Sequence, residues 1–432
     1  MPHSSIITLE HTAPRTEFTA DLCLKCNICT AACPTAAVTD LFPGPKTVGP
    51  QAQRFRQPGA TGARSPDRSV DYCSGCGVCS LVCPHGVKVM EMNAKARAAL
   101  YDGDRALLNR LPLRNRILGR SELLGRLGRP VAPLANFVFN LPVARLAAEK
   151  LMGMHRKGPF PQWQRQTFRQ WFARRERPAG ARPVQGAVAY FHGCAGDYYE
   201  PWVPKAAVAV LERNGYSVTL PRQNCCGLPM QSNGEFHAAR GYARRNLRWL
   251  APYARAGVPI VGHGSSCTLS LKSDYREILD LHTEEAALVA AHTYDVSEFL
   301  LQLYEAGALD TDFRPIEATV LYHAQCQLKM HKMGLPALDL MALIPGLNVQ
   351  LSNAECCGVA GTYGYKVEKY AIGQAVGAPL FEQIAALKPA AVVCDSETCR
   401  WWIEATTGVP AIHPVEVYAA AYGLIDLGAR MP

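Results

Sequence analysis

The placement of seventeen cysteines in 432 residues restricts this chain more than any other feature. Cys23, Cys26, Cys29 and Cys33 form C-x2-C-x2-C-x3-C, followed by Pro34. Cys73, Cys76, Cys79 and Cys83 repeat the spacing 50 residues later, followed by Pro84. The Gly/Pro-rich stretches PGPKTVGP and QPGATGARSPDRS lie between the quartets, and RERPAGARPVQG (175–186) reads as a linker. The nine remaining cysteines form an internal repeat plus one. Cys194, Cys225, Cys226 and Cys267 are matched by Cys326, Cys356, Cys357 and Cys399 at offsets of 132, 131, 131 and 132 residues, leaving Cys394 over.

An odd count cannot close into intramolecular disulfides alone, and the length excludes a small stapled secreted fold. The start, MPHSSIITLEHTAPR, lacks the regions of a signal peptide. Such thiols point to a reducing cytoplasm and to metal ligation. At 48% hydrophobic and 19% charged, the chain can bury sizeable cores, and its length suits about three domains. No apolar run reaches the ~18 residues of a membrane-spanning helix.

The paired quartets have the bacterial ferredoxin spacing for cubane [4Fe–4S] clusters. In that pattern three close thiolates hold one cluster and the fourth reaches the other. The spacing therefore predicts one cluster on Cys23, Cys26, Cys29 and Cys83, and a second on Cys73, Cys76, Cys79 and Cys33. Zinc ribbons also use C-x2-C, but as two separated pairs.

In the second half, short β-branched or aromatic runs lead to cysteine: AVAYFHGC, YSVTLPRQNCCG and VPIVGHGSSC, then ATVLYHAQC, LNVQLSNAECC and AAVVCDSETC. Helix-like stretches such as 203–214, 234–256 and 336–344 alternate with them. This predicts two similar parallel α/β domains, whose cysteines converge at the carboxyl ends of the strands. Adjacent cysteines suit neighbouring irons of a cluster better than one zinc tetrahedron. The candidate ligands are Cys194, Cys225, Cys226 and Cys267, and Cys326, Cys356, Cys357, Cys394 and Cys399, for one or two further iron–sulfur clusters.

A tandem ferredoxin followed by two cysteine-rich CCG domains resembles the iron–sulfur subunits of flavin dehydrogenases and heterodisulfide reductases. The stretches CLKCNICTAACP, YCSGCGVCSLVCP, NCCGLP, ECCGVAGTYGYKVEKYAIGQAVGAPLF and SETCRWWIE are most similar to the family of the iron–sulfur C-subunit of anaerobic glycerol-3-phosphate dehydrogenase. The resemblance runs from about residue 20 to 415. CCG domains of the heterodisulfide reductase type end in C-x2-C and give five thiolates to a noncubane [4Fe–4S] cluster. Here Gly264 and Ser396 replace the first cysteine of that pair, although Cys394 lies two residues before Ser396. The resemblance therefore allows a noncubane cluster in the second domain and leaves the first with four candidates.

Net charge is +9, concentrated in one segment. Residues 93–182 hold 19 basic and 5 acidic side chains, giving +14; the rest holds 26 and 31, giving −5. Residues 105–129, RALLNRLPLRNRILGRSELLGRLGR, alternate Leu107, Leu111, Ile117, Leu118, Leu124 and Leu127 with Arg110, Arg114, Arg116, Arg120 and Arg126; Phe137 and Phe139 follow. Leu and Phe opposite Arg suit a helix lying on anionic lipid, with Ile117, Leu118, Leu124 and Phe139 reaching the acyl chains. The alternative is an amphipathic hairpin packed on this protein or a partner. Base-stacking aromatics are not evident, which argues against nucleic acid. His192 and His323 precede repeat cysteines; each could meet a cluster sulfur or a quinone, or be satisfied beside a strand end. His85 could tune a cluster.

The sequence thus predicts an α+β or α/β multidomain protein: a two-cluster ferredoxin-like domain (1–100), a basic amphipathic helical segment and linker (101–185), and two repeated α/β CCG domains (186–315 and 316–432). No nucleotide fingerprint is present, so substrate oxidation belongs to a partner flavoprotein. The resemblance implies electron transfer from glycerol 3-phosphate to a quinone, menaquinone by preference, in anaerobic respiration, with the chain peripheral on the cytoplasmic face of the inner membrane. Competing readings are a glycolate or lactate donor, a catalytic disulfide-reducing cluster, and a non-redox scaffold.

Overall fold

The computed structural model describes residues 16–53, 68–101, 112–175 and 184–428. The expected linker over 175–186, the stretch after the first Gly/Pro loop, and Leu107, Arg110 and Leu111 fall largely or wholly outside these.

In the N-terminal part the two quartets fold alike. Each leads into one helical turn, Ile28–Ala31 and Val78–Leu81. The residues flanking each second cysteine are left-handed: Lys25 and Asn27 around Cys26, and Gly75 and Gly77 around Cys76. Such turns aim successive backbone N–H groups into a concavity suited to anions and clusters. Helix α1 (Val89–Tyr101) closes this part, with its Glu91 accepting from Ser80 at 2.7 Å.

The basic segment forms α2 (Leu113–Gly119), α3 (Ser121–Gly128), α4 (Ala132–Asn140) and α5 (Pro142–Met152). Pro112 stands just before α2, as its missing N–H and fixed φ favour. Pro142 at the first position of α5 starts a new helix direction. Among the described residues no single helix is long and apolar enough to span a membrane; 121–140 and 142–152 together pass by length and composition but are bent by 85°.

The remainder is two four-stranded parallel sheets of equal topology. The first contains β1 (Gly186–Phe191), β2 (Tyr216–Thr219), β3 (Ile260–Gly262) and β4 (Thr293–Asp295), in the order β2-β1-β3-β4. The second repeats it with β5 (Ala318–Tyr322), β6 (Leu347–Leu351), β7 (Ala391–Val393) and β8 (Ala411–Ile412), in the order β6-β5-β7-β8. The fold is therefore a mixed α/β multidomain, as the strand–helix alternation predicts. Val188, Tyr190, Val320 and Tyr322 from the two sheets join one core. Helices Trp202–Arg213 and Pro414–Ala421 pack together across the pseudo-repeat. The buried pair Glu200–Arg400 links the domains, and Trp401 Nε1 donates to the same carboxylate at 2.6 Å.

Candidate iron–sulfur centres

The four expected cysteine sets gather in space, although each is scattered in sequence. Cys29 lies within electrostatic reach of Cys23, Cys83 and Cys26. Cys79 is surrounded by Cys76, Cys73 and Cys33. The fourth cysteine of each quartet thus stands with the other quartet's first three. Cys33 and Cys83 accept backbone N–H groups from Ala36 at 3.5 Å and Val87 at 3.4 Å, so the quartets match in hydrogen bonding too. Burial pushes the Cys33 thiol up to about 11.

The CCG cysteines lie beyond the carboxyl ends of the strands. Cys194 follows β1, Cys225 and Cys226 follow β2, and Cys267 follows β3. Cys194 Sγ is 3.5 Å from Cys225 Sγ. In the second domain Cys326 follows β5, Cys356 and Cys357 follow β6, and Cys399 follows β7. The glycine of each CCG is left-handed, Gly227 at φ +93° and Gly358 at +92°. A side chain at Gly358 would run into the Gly373 carbonyl, so this turn requires glycine. Within each set one thiol is held well below its ordinary range by its neighbours' S–H groups. It is Cys226, beside Cys225 and Cys267, and Cys356, beside Cys326 and Cys357. Cys394 is fully buried and hydrogen-bonded to Cys399, at the edge of its set. Ser396 stands at the N-terminus of the helix Glu397–Thr407 and contacts Thr398 at 3.3 Å.

All seventeen cysteines are free thiols, and most are buried. Unpaired thiols gathered in three sets of four and one of five, with backbone N–H groups aimed at sulfur, are a donor set that fits iron–sulfur clusters. Among the described residues no three His, Cys, Asp or Glu side chains close on a point that would hold a single metal ion.

The histidines divide. His192 is satisfied: Nδ1 pairs with Gly193 O at 2.7 Å and Nε2 accepts from Arg169 at 2.9 Å. Burial and then Arg169 lower its pKa to about 3, so it stays neutral. His323 meets Ser352 at 3.5 Å, while its buried Nε2 has no hydrogen-bond partner and Cys356 is nearby. His85 is exposed beside Cys26 and Cys83.

The basic segment differs from the simple lipid-facing helix. Three of its arginines are engaged by acids rather than free for phosphate: Arg114 by Glu368, Arg120 by Glu235 and Arg126 by Glu122. Leu118 is buried, and Ile117, Leu124 and Phe139 line an internal cavity. The most outward residues are Leu113, Leu127, Leu134, Phe137, Val143 and Leu151. The reason is that α2 and α3 pack on the CCG domains and must give their apolar stripe to that contact.

Sequence reasoning missed Glu122, the single acid between Asp104 and Glu149. Its carboxylate accepts the Cys225 N–H at 2.8 Å, so the basic segment supports the first CCG turn directly. An isolated acid in an arginine-rich run was the available signal.

The cavity, about 460 Å³, lies between the CCG sets. Cys194, Cys225, Cys226 and Cys267 line it from one domain, and Cys326, Cys356, Cys357 and Cys399 from the other; Cys76 also reaches it.

Comparison with known proteins agrees with this geometry. Residues 19–87 match the 4Fe-4S dicluster domain family, and residues 188–272 and 320–404 match the cysteine-rich CCG domain family. The C-subunit of anaerobic glycerol-3-phosphate dehydrogenase of Escherichia coli (strain K12) is 34% identical over 92% of this chain and 98% of its own length. The B-subunit of fumarate reductase (CoM/CoB) of Methanothermobacter marburgensis is 24% identical over 91% of this chain and 70% of its own. A probable glycolate oxidase iron-sulfur subunit of Bacillus subtilis is 26% identical, covering 79% of both chains. By its dicluster and CCG domains and its identity along nearly the whole length, the chain belongs to the family of the anaerobic glycerol-3-phosphate dehydrogenase C-subunit.

Proposed function

We propose that this chain is the electron-transferring subunit of a membrane-associated, flavin-dependent glycerol-3-phosphate dehydrogenase, delivering electrons to a quinone, with menaquinone the preferred acceptor, in anaerobic respiration. Its place is the cytoplasmic face of the inner membrane. The observation that carries the reading is the proximity of Cys76 and Cys356 in one buried cluster, which joins the ferredoxin part to the second CCG set. Two cubane [4Fe–4S] clusters on the ferredoxin cysteines and one or two clusters on the CCG cysteines supply single-electron transfer when bound.

The chain's own residues hold, space and dry these sites. Left-handed turns at Asn27 and Gly77 present backbone N–H groups. Met330 packs against Gly77 and fills the seam between the parts. The exposed apolar residues of α4 and α5 support attachment to a bilayer. A flavoprotein partner is the electron source.

The test is reconstitution. The isolated, cluster-loaded chain should not reduce a dye with glycerol 3-phosphate, and adding the flavoprotein should give substrate-dependent quinone reduction. Substrate-dependent dye reduction by this chain alone refutes the division of roles. Glycolate or lactate serving as the donor instead would move the chain to its glycolate-oxidase-like relatives.

A further inference from the structure

The two CCG sets differ in thiol count. Gly264 and Ser396 stand three residues before Cys267 and Cys399, 132 residues apart, where a C-x2-C pair would begin. The second set has Cys394 as a fifth thiol, whereas the first has four. The backbone does not require glycine at 264: φ of −87° and ψ of 102° are open to any residue. A first side-chain atom would also fit. A Cβ there would meet Cys267 Sγ at 3.6 Å, Cys267 Cβ at 3.7 Å and, from the other domain, Glu397 Oε2 at 3.9 Å, all ordinary contact distances. The place of the missing thiol is thus bordered by a carboxylate oxygen and a ligand sulfur.

Glu397 reaches this place from the first turn of the helix Glu397–Thr407 and lines the thiol cavity. Cys226 and Cys267, both of the first set, are within electrostatic reach of its carboxylate. Its counterpart in the first repeat is Ser265, again 132 residues away. Ser265 Oγ accepts from Gln325 Nε2 across the domain boundary. Gln325 in turn matches Gly193 by the same offset, and glycine has no side chain to hold a carboxylate. A Cβ on Gly193 would lie 3.2 Å from Cys267 Sγ. Two glycines therefore border Cys267, and Glu397 of the other domain stands beside one of them. A carboxylate among thiolates is repelled unless it meets a cation. Arg400 faces Glu397 but is already paired with Glu200.

We propose that Glu397 gives a carboxylate oxygen to the iron–sulfur cluster of the first CCG set, in place of the thiolate missing at 264, so that the second domain completes the first domain's cluster. The proposal rests on the cluster reading of Cys194, Cys225, Cys226 and Cys267. An ionised carboxylate has the lone pairs for a bond to iron. Its proton goes to solvent, and no electron moves when the bond forms. Oxygen is a harder donor than thiolate sulfur, so the two CCG clusters are chemically unlike.

The test uses the full, cluster-loaded chain carrying glutamate labelled with carbon-13 at the side-chain carboxyl. Electron–nuclear double resonance, with the CCG clusters poised paramagnetic, should show a strong carbon-13 coupling that Glu397→Gln removes. Glu397→Gln should also release iron from the first set to chelator at least tenfold faster. Adding Gly264→Cys to that variant should restore retention, since a thiolate then takes the empty place; a purely structural role for Glu397 gives neither the coupling nor this rescue. Absence of a coupling that depends on Glu397, or unchanged iron release in Glu397→Gln, overturns the proposal and leaves the cluster in place. If Glu397→Gln does not fold, the labelled wild type decides alone, its strong coupling supporting the bond and the lack of one overturning it. If Cys225→Ser with Cys226→Ser costs the chain no iron, the first set holds no cluster, and the cluster reading of that set falls together with the proposal.

Discussion

Cys76 and Cys356, from opposite ends of the chain, lie side by side in a buried cluster completed by Cys326, Val78, Tyr363, Ile372 and Val376. Burial first, and then the neighbouring Cys356, raises the Cys76 thiol far above its ordinary range. The second ferredoxin quartet is thus built against the second CCG domain through a shared apolar cluster. Nearby, Lys369 bridges to Asp71 and is almost fully buried, fixing the two parts in register.

This seam is sensitive at Gly77. Its φ is +84°, and a side chain there would meet Met330. Gly77→Ala is expected to cost about 1–2 kcal/mol through left-handed strain, with Met330 displaced. Urea unfolding should show the loss, and reduction of the CCG centres by the flavoprotein should slow. An unchanged rate would separate electron passage from this contact.

Iron content tests the number of centres. Two cubanes account for about eight irons per chain, and the fully reconstituted protein should hold more. Cys356→Ser with Cys357→Ser should remove only the excess associated with the second CCG set, leaving the ferredoxin signals. A wild-type value of about eight or fewer would remove the CCG clusters from the proposal.

Glu122 offers a test away from the thiols. It accepts the Cys225 N–H at 2.8 Å and pairs with Arg126 at 2.5 Å. Glu122→Ala leaves that N–H without its partner, a loss of about 1.5–3 kcal/mol for a charged hydrogen bond. Iron in the first CCG set should leave faster in chelator, with Glu122→Gln partly restoring retention. Equal retention in all three proteins would make the contact incidental.

The domain interface has its own buried charge. Glu200 and Arg400 are 5% and 1% exposed at their side chains. Glu200→Ala strands the guanidinium, and removing one partner of a buried pair costs about 3–5 kcal/mol. Thermal unfolding should fall clearly, and less for Glu200→Gln, which keeps an acceptor for Trp401. A loss below about 1 kcal/mol would mean that water reaches Arg400.

What was legible in the sequence was local or periodic. Cysteine spacing carried the ferredoxin quartets, the 131–132-residue offsets carried the repeated sheets, and β-branched runs carried the parallel strands. Contacts between distant residues leave no spacing. Nothing near Arg114 announces Glu368, and nothing near Cys76 announces Cys356. The sequence leaves His192 open between a cluster contact and a histidine satisfied beside a strand end, because its partner Arg169 lies 23 residues away. The helical period of 113–129 was readable, but two apolar stripes compete for one core. Only packing chooses Leu118 for the inside and leaves Leu127 at 65% exposure.

That choice determines which residues should hold the membrane. The outward set includes Leu127, Leu134, Phe137, Val143 and Leu151, not Ile117, Leu118 or Leu124. Fully burying one such side chain is worth about 1.5–3 kcal/mol, so Phe137→Ser with Val143→Ser should lower binding to anionic liposomes at least tenfold. Arg114, Arg120 and Arg126 are committed to Glu368, Glu235 and Glu122. The electrostatic share of binding therefore falls to the segment's other basic residues, and high salt should weaken attachment only partly, because apolar burial is not screened. Leu118→Ser should act differently: it opens the packed side, lowering thermal stability and cluster retention before membrane binding. If the outward double variant stays on liposomes while the complex with its flavoprotein falls apart, the hairpin is a subunit-docking surface and the bilayer has no part in covering it.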